Sequence, residues 1–463
     1  LLTYLLRRTL LIVPTLLGIT LVVFTVMAAS PGGIGAQSLT QGVMQPEARK
    51  AMEAYYNRRY GLNASAPVQY LRWLNNISPI GFETATDSAG QFEYGRFSFT
   101  KGSDLGDSFL YGRSVSSLIG ERLPVTLLLN LLSIPIVYIV AIAIGVRAAT
   151  QRGKSFDVMS GTVLLALWSV PVMLAGILLI GFFASEQNWF WFPESGLNRR
   201  VAEDMPFLPH LSGFVDVLLV FVSVAIAVSL SLVANARLPA WWRSLAFGAV
   251  GLLAGFAMAD SIGQTITPLA HFLISVSVAI LFWTIAGSDF NAMRVLFCGA
   301  VGVAVGILVV RGHLSGEFVR GFLFDRLWHL ALPVLCLTFG GFAFLAKLSR
   351  SSILENLAAD YARTARAKGA TDDIVLWRHV FRNSLIPLIT VAASLLPGLL
   401  AGSVIVESLF SIEGMGKLAV EAVKGRDREL VLSLTLISGV LTLIGYLLAD
   451  ICYALVDPRV SYE

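Results

Sequence analysis

Residues Leu10–Ala29 read LLIVPTLLGITLVVFTVMAA, twenty residues without a charge, preceded by Arg7 and Arg8. A bilayer's hydrocarbon core is about 30 Å thick and an α-helix rises about 1.5 Å per residue, so a run of this length crosses it. Met27-Ala28-Ala29 resembles a signal-peptide cleavage site, but the apolar core of a signal peptide is only about 7–15 residues long. The run therefore reads as an uncleaved first span. Arg7 and Arg8 place its leading end in the cytoplasm, where short loops carry the excess of Lys and Arg.

The same pattern recurs along the chain. Of 463 residues, 56% are hydrophobic and 14% charged, against about 25% charged in soluble domains; the mean hydropathy is +0.74. Further apolar blocks fall at Leu123–Val146, Val158–Ala184, Phe214–Ala236, Ser244–Ile262, Pro268–Ala286, Val295–Val310, Trp328–Ala346, Ser384–Val406 and Leu430–Val456. With the first they make about 10 spans, and an even number returns the C-terminus to the cytoplasm. A membrane β-barrel would instead alternate apolar and polar residues over short strands. The expected fold class is all-α, a polytopic membrane protein.

The net charge of +4 is small, and the basic residues lie between spans, where they set topology; no nucleic-acid partner is expected. Cys298, Cys336 and Cys452 all sit in apolar blocks without metal or disulfide spacing and read as small buried hydrophobes. Residues 31–122 form the one long polar stretch. A helix is expected over Pro46–Tyr60, ended by Gly61, Asn63 and Pro67, with Tyr70 and Trp73 beyond. This reads as a small extracytoplasmic domain. Its nine Lys and Arg residues do not conflict with that side, because long translocated segments escape the charge bias.

The densest basic run, 347–383, joins two spans on the cytoplasmic side. It contains DYARTARAKGA, Asp360–Ala370. Taking Glu355–Lys368 as one helix, Leu357, Ala358, Tyr361, Ala362 and Ala365 form an apolar stripe. Glu355 and Asp360 come early and Arg363, Arg366 and Lys368 late, as the helix dipole favours. Gly369 sits where a left-handed residue ends a helix. Thr371 then caps a second helix, with Asp372 and Asp373 in its first turn and Ile374, Trp377 and Phe381 along one side, leading into the next span through Pro387. An amphipathic helix lying on lipid is the competing reading. The small residues Ala362, Ala365 and Ala367 favour close contact with another protein, since a lipid-facing stripe would carry Leu, Phe and Trp.

This loop resembles the EAA-type motif of binding-protein-dependent ABC transporter permeases. The Glu-Ala-Ala positions are held here by Arg363, Thr364 and Ala365, with Gly369 in place. The missing Glu and the distant Pro387 resemble the dipeptide/oligopeptide branch, whose motif is similar to YxRTARAKG. The first span, PVQYLRWL (67–74), DLGDSFLYGRSV (104–115), ERLPVTLLL (121–129), LWHLALPVL (327–335), RHVFRNSLIPL (378–388) and YALVDPRV (453–460) resemble that branch too. GVRAATQRGKSFDV (145–158) and FPESGL (192–197) are most similar to Yej-type permeases, which import longer peptides and microcin C.

The resemblance implies a type I ABC importer (MetI-like) permease core: an N-terminal transmembrane helix (1–30), an extracytoplasmic domain (31–122), and core segments 123–212 and 313–463. The family usually has six spans, so 213–312, with four candidate spans, reads as an insertion of even parity that serves as peripheral scaffold. Gly251–Gly255 and Gly299–Gly306 suit helix packing in lipid. The resemblance assigns ATPase coupling to Glu355, Asp360, Tyr361, Arg363, Ala365, Arg366, Lys368 and Gly369. It implies a second permease subunit, two cytoplasmic ATP-binding subunits and an extracytoplasmic substrate-binding protein as partners, beside the lipid bilayer. ATP and Mg would bind the partner subunits, and no cofactor this chain.

Other motifs fail. Gly153-Lys154-Ser155 looks like the end of a P-loop, but the Gly that pattern needs five residues earlier is Ala148. His210, His271, His313, His329 and His379 are scattered, and no metal site is expected. His329, next to Trp328, reads as an interfacial anchor. His271 and Asp260 are the few ionisable residues of the inserted segment near span depth and are functional candidates on that ground, with a position near the interfaces as the alternative. Asp450 and Pro387 are candidates for lining the path or for helix packing. No nucleophile–base pair stands out, so the chain is expected to be a transport subunit without catalysis of its own. A secondary transporter would need two related halves and mid-span charges, and neither is evident.

Overall fold

The computed structural model describes residues 2–30, 45–60, 62–86, 92–211, 213–262, 266–314 and 318–456. Gly61 and residues 457–460 of the YALVDPRV stretch lie outside the described residues, as do the side chains of Arg7, Arg8 and Cys452. In chain order the elements are α1 (Leu2–Ala29), α2 (Pro46–Tyr60), α3 (Ala66–Ile77), β1 (Gly81–Thr86), β2 (Phe92–Ser98), α4 (Val115–Thr150), α5 (Ser155–Ser169) and α6 (Val172–Leu179). Then come β3 (His210–Leu211), α7 (Phe214–Arg237), α8 (Ala240–Asp260), α9 (Pro268–Gly287), α10 (Asn291–Arg311), β4 (Phe318–Val319) and α11 (Gly321–Ala358). The chain ends with α12 (Asp360–Ala367), α13 (Phe381–Leu409), α14 (Met415–Lys424) and α15 (Arg428–Val456).

Among the described residues eight helices are long and apolar enough to cross a membrane. A ninth span, over the block expected at Val158–Ala184, passes only as the broken pair Ser155–Ser169 and Val172–Ala184. The break falls where Pro171 takes an extended conformation ahead of α6, as the missing N–H of proline dictates. The block at Ser384–Val406 is helical within α13, and the side chains of 393–403 lie outside the described residues. Prolines inside α1, α4 and α11 leave those helices continuous, because neighbouring groups in a membrane protein satisfy the carbonyls a proline frees.

The chain divides into two compact units, 1–169 with 337–463, and 170–336. In the first, α4, α11 and α13 share a core of Val137, Ala141, Leu345, Ala346 and Leu388. Gly145 makes close passage possible, since a Cβ there would lie 2.5 Å from the Ser349 side chain. The helix expected over Pro46–Tyr60 is present as α2. Tyr70 and Trp73 of α3 are buried with Phe24 and Leu432, and the Tyr70 hydroxyl lies 3.0 Å from Thr20 Oγ1 on α1. The polar stretch is not purely helical: β1 and β2 pair antiparallel, with Phe82 opposite Phe97. Residues 115–122, expected in the outer domain, are the first two turns of α4.

The second unit contains the expected insertion 213–312 and extends beyond both of its ends. In it α7 packs on α10 and α8 on α9. Glycines make both seams close. A Cβ on Gly251 would lie 2.7 Å from Phe282 Cβ, on Gly255 2.7 Å from Ser275 Cα, and on Gly302 and Gly306 2.6 Å from Val228 Cα and Val224 Cα. Gly299, expected in the same pattern, faces open space. His329 is no interfacial anchor. It is 5% exposed, and its Nδ1 lies 2.8 Å from the Asp325 carbonyl and 3.4 Å from its carboxylate. Asp325 also accepts the Arg199 N–H. Cys298 and Cys336 are free and buried, as expected of small hydrophobes.

Candidate functional site: a short amphipathic helix between two spans

The segment expected as one helix over Glu355–Lys368 is two. α11 ends at Ala358, Ala359 takes an extended conformation (φ −67°, ψ 153°), and α12 begins at Asp360. The break swings the side chains away from the stripe that a continuous helix would present. Ala358 and Tyr361 are exposed, and Ala362 alone is fully buried, at 0%. It sits against Val146 and Ala149 of α4, Ile353 of α11, and Val375, Leu376 and Val380, with Ala365 and Ala370 at the edge. Only small side chains let the α12 backbone approach so closely.

The end of α12 follows the rules of backbone closure. Gly369 has φ +85°, the left-handed conformation in which glycine carries no Cβ penalty. The Gly369 N–H donates to the Arg366 carbonyl at 2.9 Å and the Ala370 N–H to the Ala365 carbonyl at 3.1 Å. Both bonds of a Schellman turn are thus present. Thr371 is extended as a cap residue should be, but its hydroxyl makes no capping bond. The expected second helix is one short turn, Asp372–Ile374, followed by a π-helical stretch, Val375–Val380. The wider π turn changes which side is buried. Val375, Leu376 and Val380 face the core, while Ile374 and Trp377 are exposed.

The outward face of α12 is polar. Arg363 pairs with Asp360 at 3.5 Å and Arg366 with Asp372 at 3.2 Å, all four largely exposed. Such pairs contribute little to stability. The Tyr361 hydroxyl donates to Asn356 Oδ1 at 2.5 Å, bracing α12 against the end of α11. Glu355 is exposed on α11, one turn before the break, and Lys368 is exposed at the α12 C-terminus. The structure therefore gathers Glu355, Asp360, Tyr361, Arg363, Arg366, Lys368 and Gly369 on or beside one exposed ledge, with Ala365 half buried beneath. Pro387 lies within α13 and Asp450 within α15, both half buried and apart from that segment in sequence.

Sequence reasoning missed four polar ties. Arg350 grips Asp157 with two bonds, Nε to Oδ1 at 2.5 Å and Nη2 to Oδ2 at 2.8 Å, which fixes the start of α5 to α11. The Gly153 N–H donates to the same carboxylate at 2.9 Å, so the Gly-Lys-Ser stretch is a turn rather than a phosphate loop. At the opposite ends of the helices, Asp427 caps α15 by accepting the Leu430 N–H, and also accepts the Ser108 hydroxyl at 2.6 Å and the Leu110 N–H at 3.0 Å. Glu407, 0% exposed, accepts the Thr126 hydroxyl and the Lys417 N–H at the start of α14. Tyr111 donates to Glu421 at 2.5 Å; burial and that bond push its phenol up to about 12. A run such as Leu-Gly-Asp-Ser gives no pattern from which a partner three hundred residues away can be read. No cluster of three or more His, Cys, Asp or Glu that could hold a metal occurs among the described residues.

Two families of binding-protein-dependent transport components match the chain. Binding-protein-dependent transport system inner membrane component matches residues 248–462, and the N-terminal part of a binding-protein-dependent transport system membrane component matches residues 1–130. An oligopeptide transport system permease protein, AppB of Bacillus subtilis, is 28% identical over 461 residues, covering 99% of each chain. An inner membrane ABC transporter permease protein, YejB of Escherichia coli O157:H7, is 26% identical with 99% of each chain covered. A dipeptide transport system permease protein, DppB of Bacillus subtilis, is 41% identical over 133 residues, 29% of this chain and 43% of that one. With its apolar helices and the helix–turn between α11 and α13, the chain belongs to the inner-membrane permease components of binding-protein-dependent ABC transport systems.

Proposed function

We propose that this chain imports peptides across the cytoplasmic membrane and that α12 is the element through which ATP hydrolysis on partner subunits drives it. The observation that carries this reading is the contrast between the two faces of α12. One face is locked into the helix core by Ala362, and the other presents Asp360, Arg363, Arg366 and Lys368 to solvent. A soluble subunit gripping that ledge moves α4, α11 and α13 with it, because the seat of α12 is built from those helices and the segment between them. The peptide cargo is proposed from the relatives, which are named as oligopeptide and dipeptide permeases.

In this reading both termini and the 347–383 loop are cytoplasmic. Two ATP-binding subunits, carrying ATP and Mg, dock there; a second permease subunit completes the path, and an extracytoplasmic binding protein delivers substrate to the outer domain. Ligand and nucleotide shift the complex between inward- and outward-open states only through differential affinity for them. Peptide uptake into vesicles carrying the whole complex tests this. Uptake should persist when the proton gradient is collapsed and stop when ATP is withheld. Uptake that follows the gradient and ignores ATP would assign the chain to secondary transport instead.

A further inference from the structure

The second unit has a feature that the import reading leaves unused. Arg243, 7% exposed, and Arg294, half buried, converge on Asn235. Arg243 donates from Nη1 to the Asn235 carbonyl at 3.3 Å and from Nε to the Ala286 carbonyl at 2.6 Å. Arg294 donates from Nε to Asn235 Oδ1 at 3.2 Å, and to the Ser288 carbonyl and Asn291 Oδ1. A guanidinium has five N–H donors, so both keep donors to spare. Exposed Arg237 lies two residues beyond Asn235. Among the described residues no ion pair involves Arg237, Arg243, Arg294 or nearby exposed Asp289. Arg243 and Arg294 repel each other, and Asp289, which attracts Arg243 through space, is exposed and makes no ion pair with either, so the two guanidiniums keep room for a further anion.

An apolar groove of about 960 Å³ opens at the same place. It begins at Ala234, Ala246 and Phe247, the neighbours of Asn235 and Arg243, and runs between α7, α8 and α10 to Leu219 and Val309. The two serine hydroxyls on its wall, Ser223 and Ser231, are already bonded to the Gly306 and Cys298 carbonyls, so that apart from His313, beyond Val309 and Val310, the lining suits hydrocarbon. From Leu219 to Ala234 it extends about 22 Å at 1.5 Å per residue, more than the roughly 15 Å one leaflet's chains span. Trp241 and Trp242, both exposed, mark the basic end as the level of the lipid headgroups.

We propose that the unit holds an anionic phospholipid, its phosphate among Arg243, Arg294 and Arg237 and one acyl chain in the groove. Basic pockets between membrane helices select anionic headgroups in this way. The charge complementarity at the mouth favours a lipid over a second protein's helix. The site requires the membrane-spanning reading alone; orientation decides only which leaflet supplies the lipid.

Native mass spectrometry of the full chain released from nanodiscs of phosphatidylcholine with a minority of phosphatidylglycerol tests this. The retained lipid should be enriched in phosphatidylglycerol by about five-fold, as on the order of one cationic contact gives. Arg294→Gln should reduce the enrichment toward the bulk ratio and Arg294→Lys should preserve it. Ala227→Phe, filling the groove, should lower the number of lipids retained. No enrichment in the parent chain, or enrichment unchanged in Arg294→Gln, overturns the proposal. So does displacement by inorganic phosphate, which would mark a free-anion site, or a cross-link from the Leu230→Cys variant to another polypeptide. Should Arg294→Gln not fold, Arg237→Gln and the parent chain's preference still decide.

Discussion

At the scale of single residues, the sharpest demand in the loop is the backbone of Gly369. Its φ is +85° and nothing lies within 4 Å of where a Cβ would stand, so substitution costs conformational strain alone. A left-handed L-residue is disfavoured by roughly 1–2 kcal/mol, enough to loosen a turn of two hydrogen bonds without melting the spans. Gly369→Val should therefore lower ATP-driven uptake about ten-fold or more while the thermal midpoint falls by no more than about a few degrees, with Gly369→Asn milder because Asn tolerates that conformation. Asp427 carries a different load. Asp427→Ala removes the α15 cap and both bonds to residues 108 and 110, and should destabilise the chain by about 1–2 kcal/mol in thermal unfolding. Tyr111 titrates in the alkaline range. The fold favours its protonated phenol, so that stabilisation is complete below the ordinary value of about 10 and is lost as pH rises through about 12. The stability gap between the parent and Tyr111→Phe should narrow over that window, and a gap constant to pH 12 would remove the assigned bond. The left-handed glycine could be read from sequence because its spacing after a polar helix implies one backbone conformation. Asp427 and Ser108 could not, because their pairing depends on tertiary approach.

At the scale of elements, the positions of eight of the ten expected spans were legible because bilayer thickness and helix rise set a minimum apolar length, while the helices themselves run further, as α4 and α11 do. The breaks within helices were not. An apolar stripe through Glu355–Lys368 fits a continuous helix as well as the observed kink at Ala359, and periodicity carries no information about one extended residue. The π-helical stretch at Val375–Val380 likewise turns Val375 and Leu376 inward, where a 3.6-residue period would bury Ile374 and Trp377. The glycine seams were half legible. Spacing marked Gly299 and Gly306 alike, yet of the two only Gly306 meets a neighbour, and Gly302 between them meets another. Gly306→Leu should overpack the α7–α10 seam and destabilise by about 1–3 kcal/mol, whereas Gly299→Leu, facing open space, should leave the thermal midpoint unchanged. Equal effects from the two would contradict the seam.

At the scale of the whole molecule, composition fixed the membrane class, and the chain's place in the permease family rests on motifs at both of its ends. The polar stretch was less transparent: its hairpin, β1 with β2, carries no strict alternation, since a bulge between Phe82 and Thr84 shifts the register. The proposed function makes α12 a ledge held by the helix core of α4, α11 and α13 and presented to a cytoplasmic motor. Site-directed cross-linking in native membranes tests that most directly, with single cysteines in place of Arg363 and Lys368 in the assembled complex. The account predicts cross-links to an ATP-binding subunit from both positions, with neither thiol reached by an impermeant reagent added outside intact cells. Labelling from outside, or thiols that contact lipid alone, would contradict it.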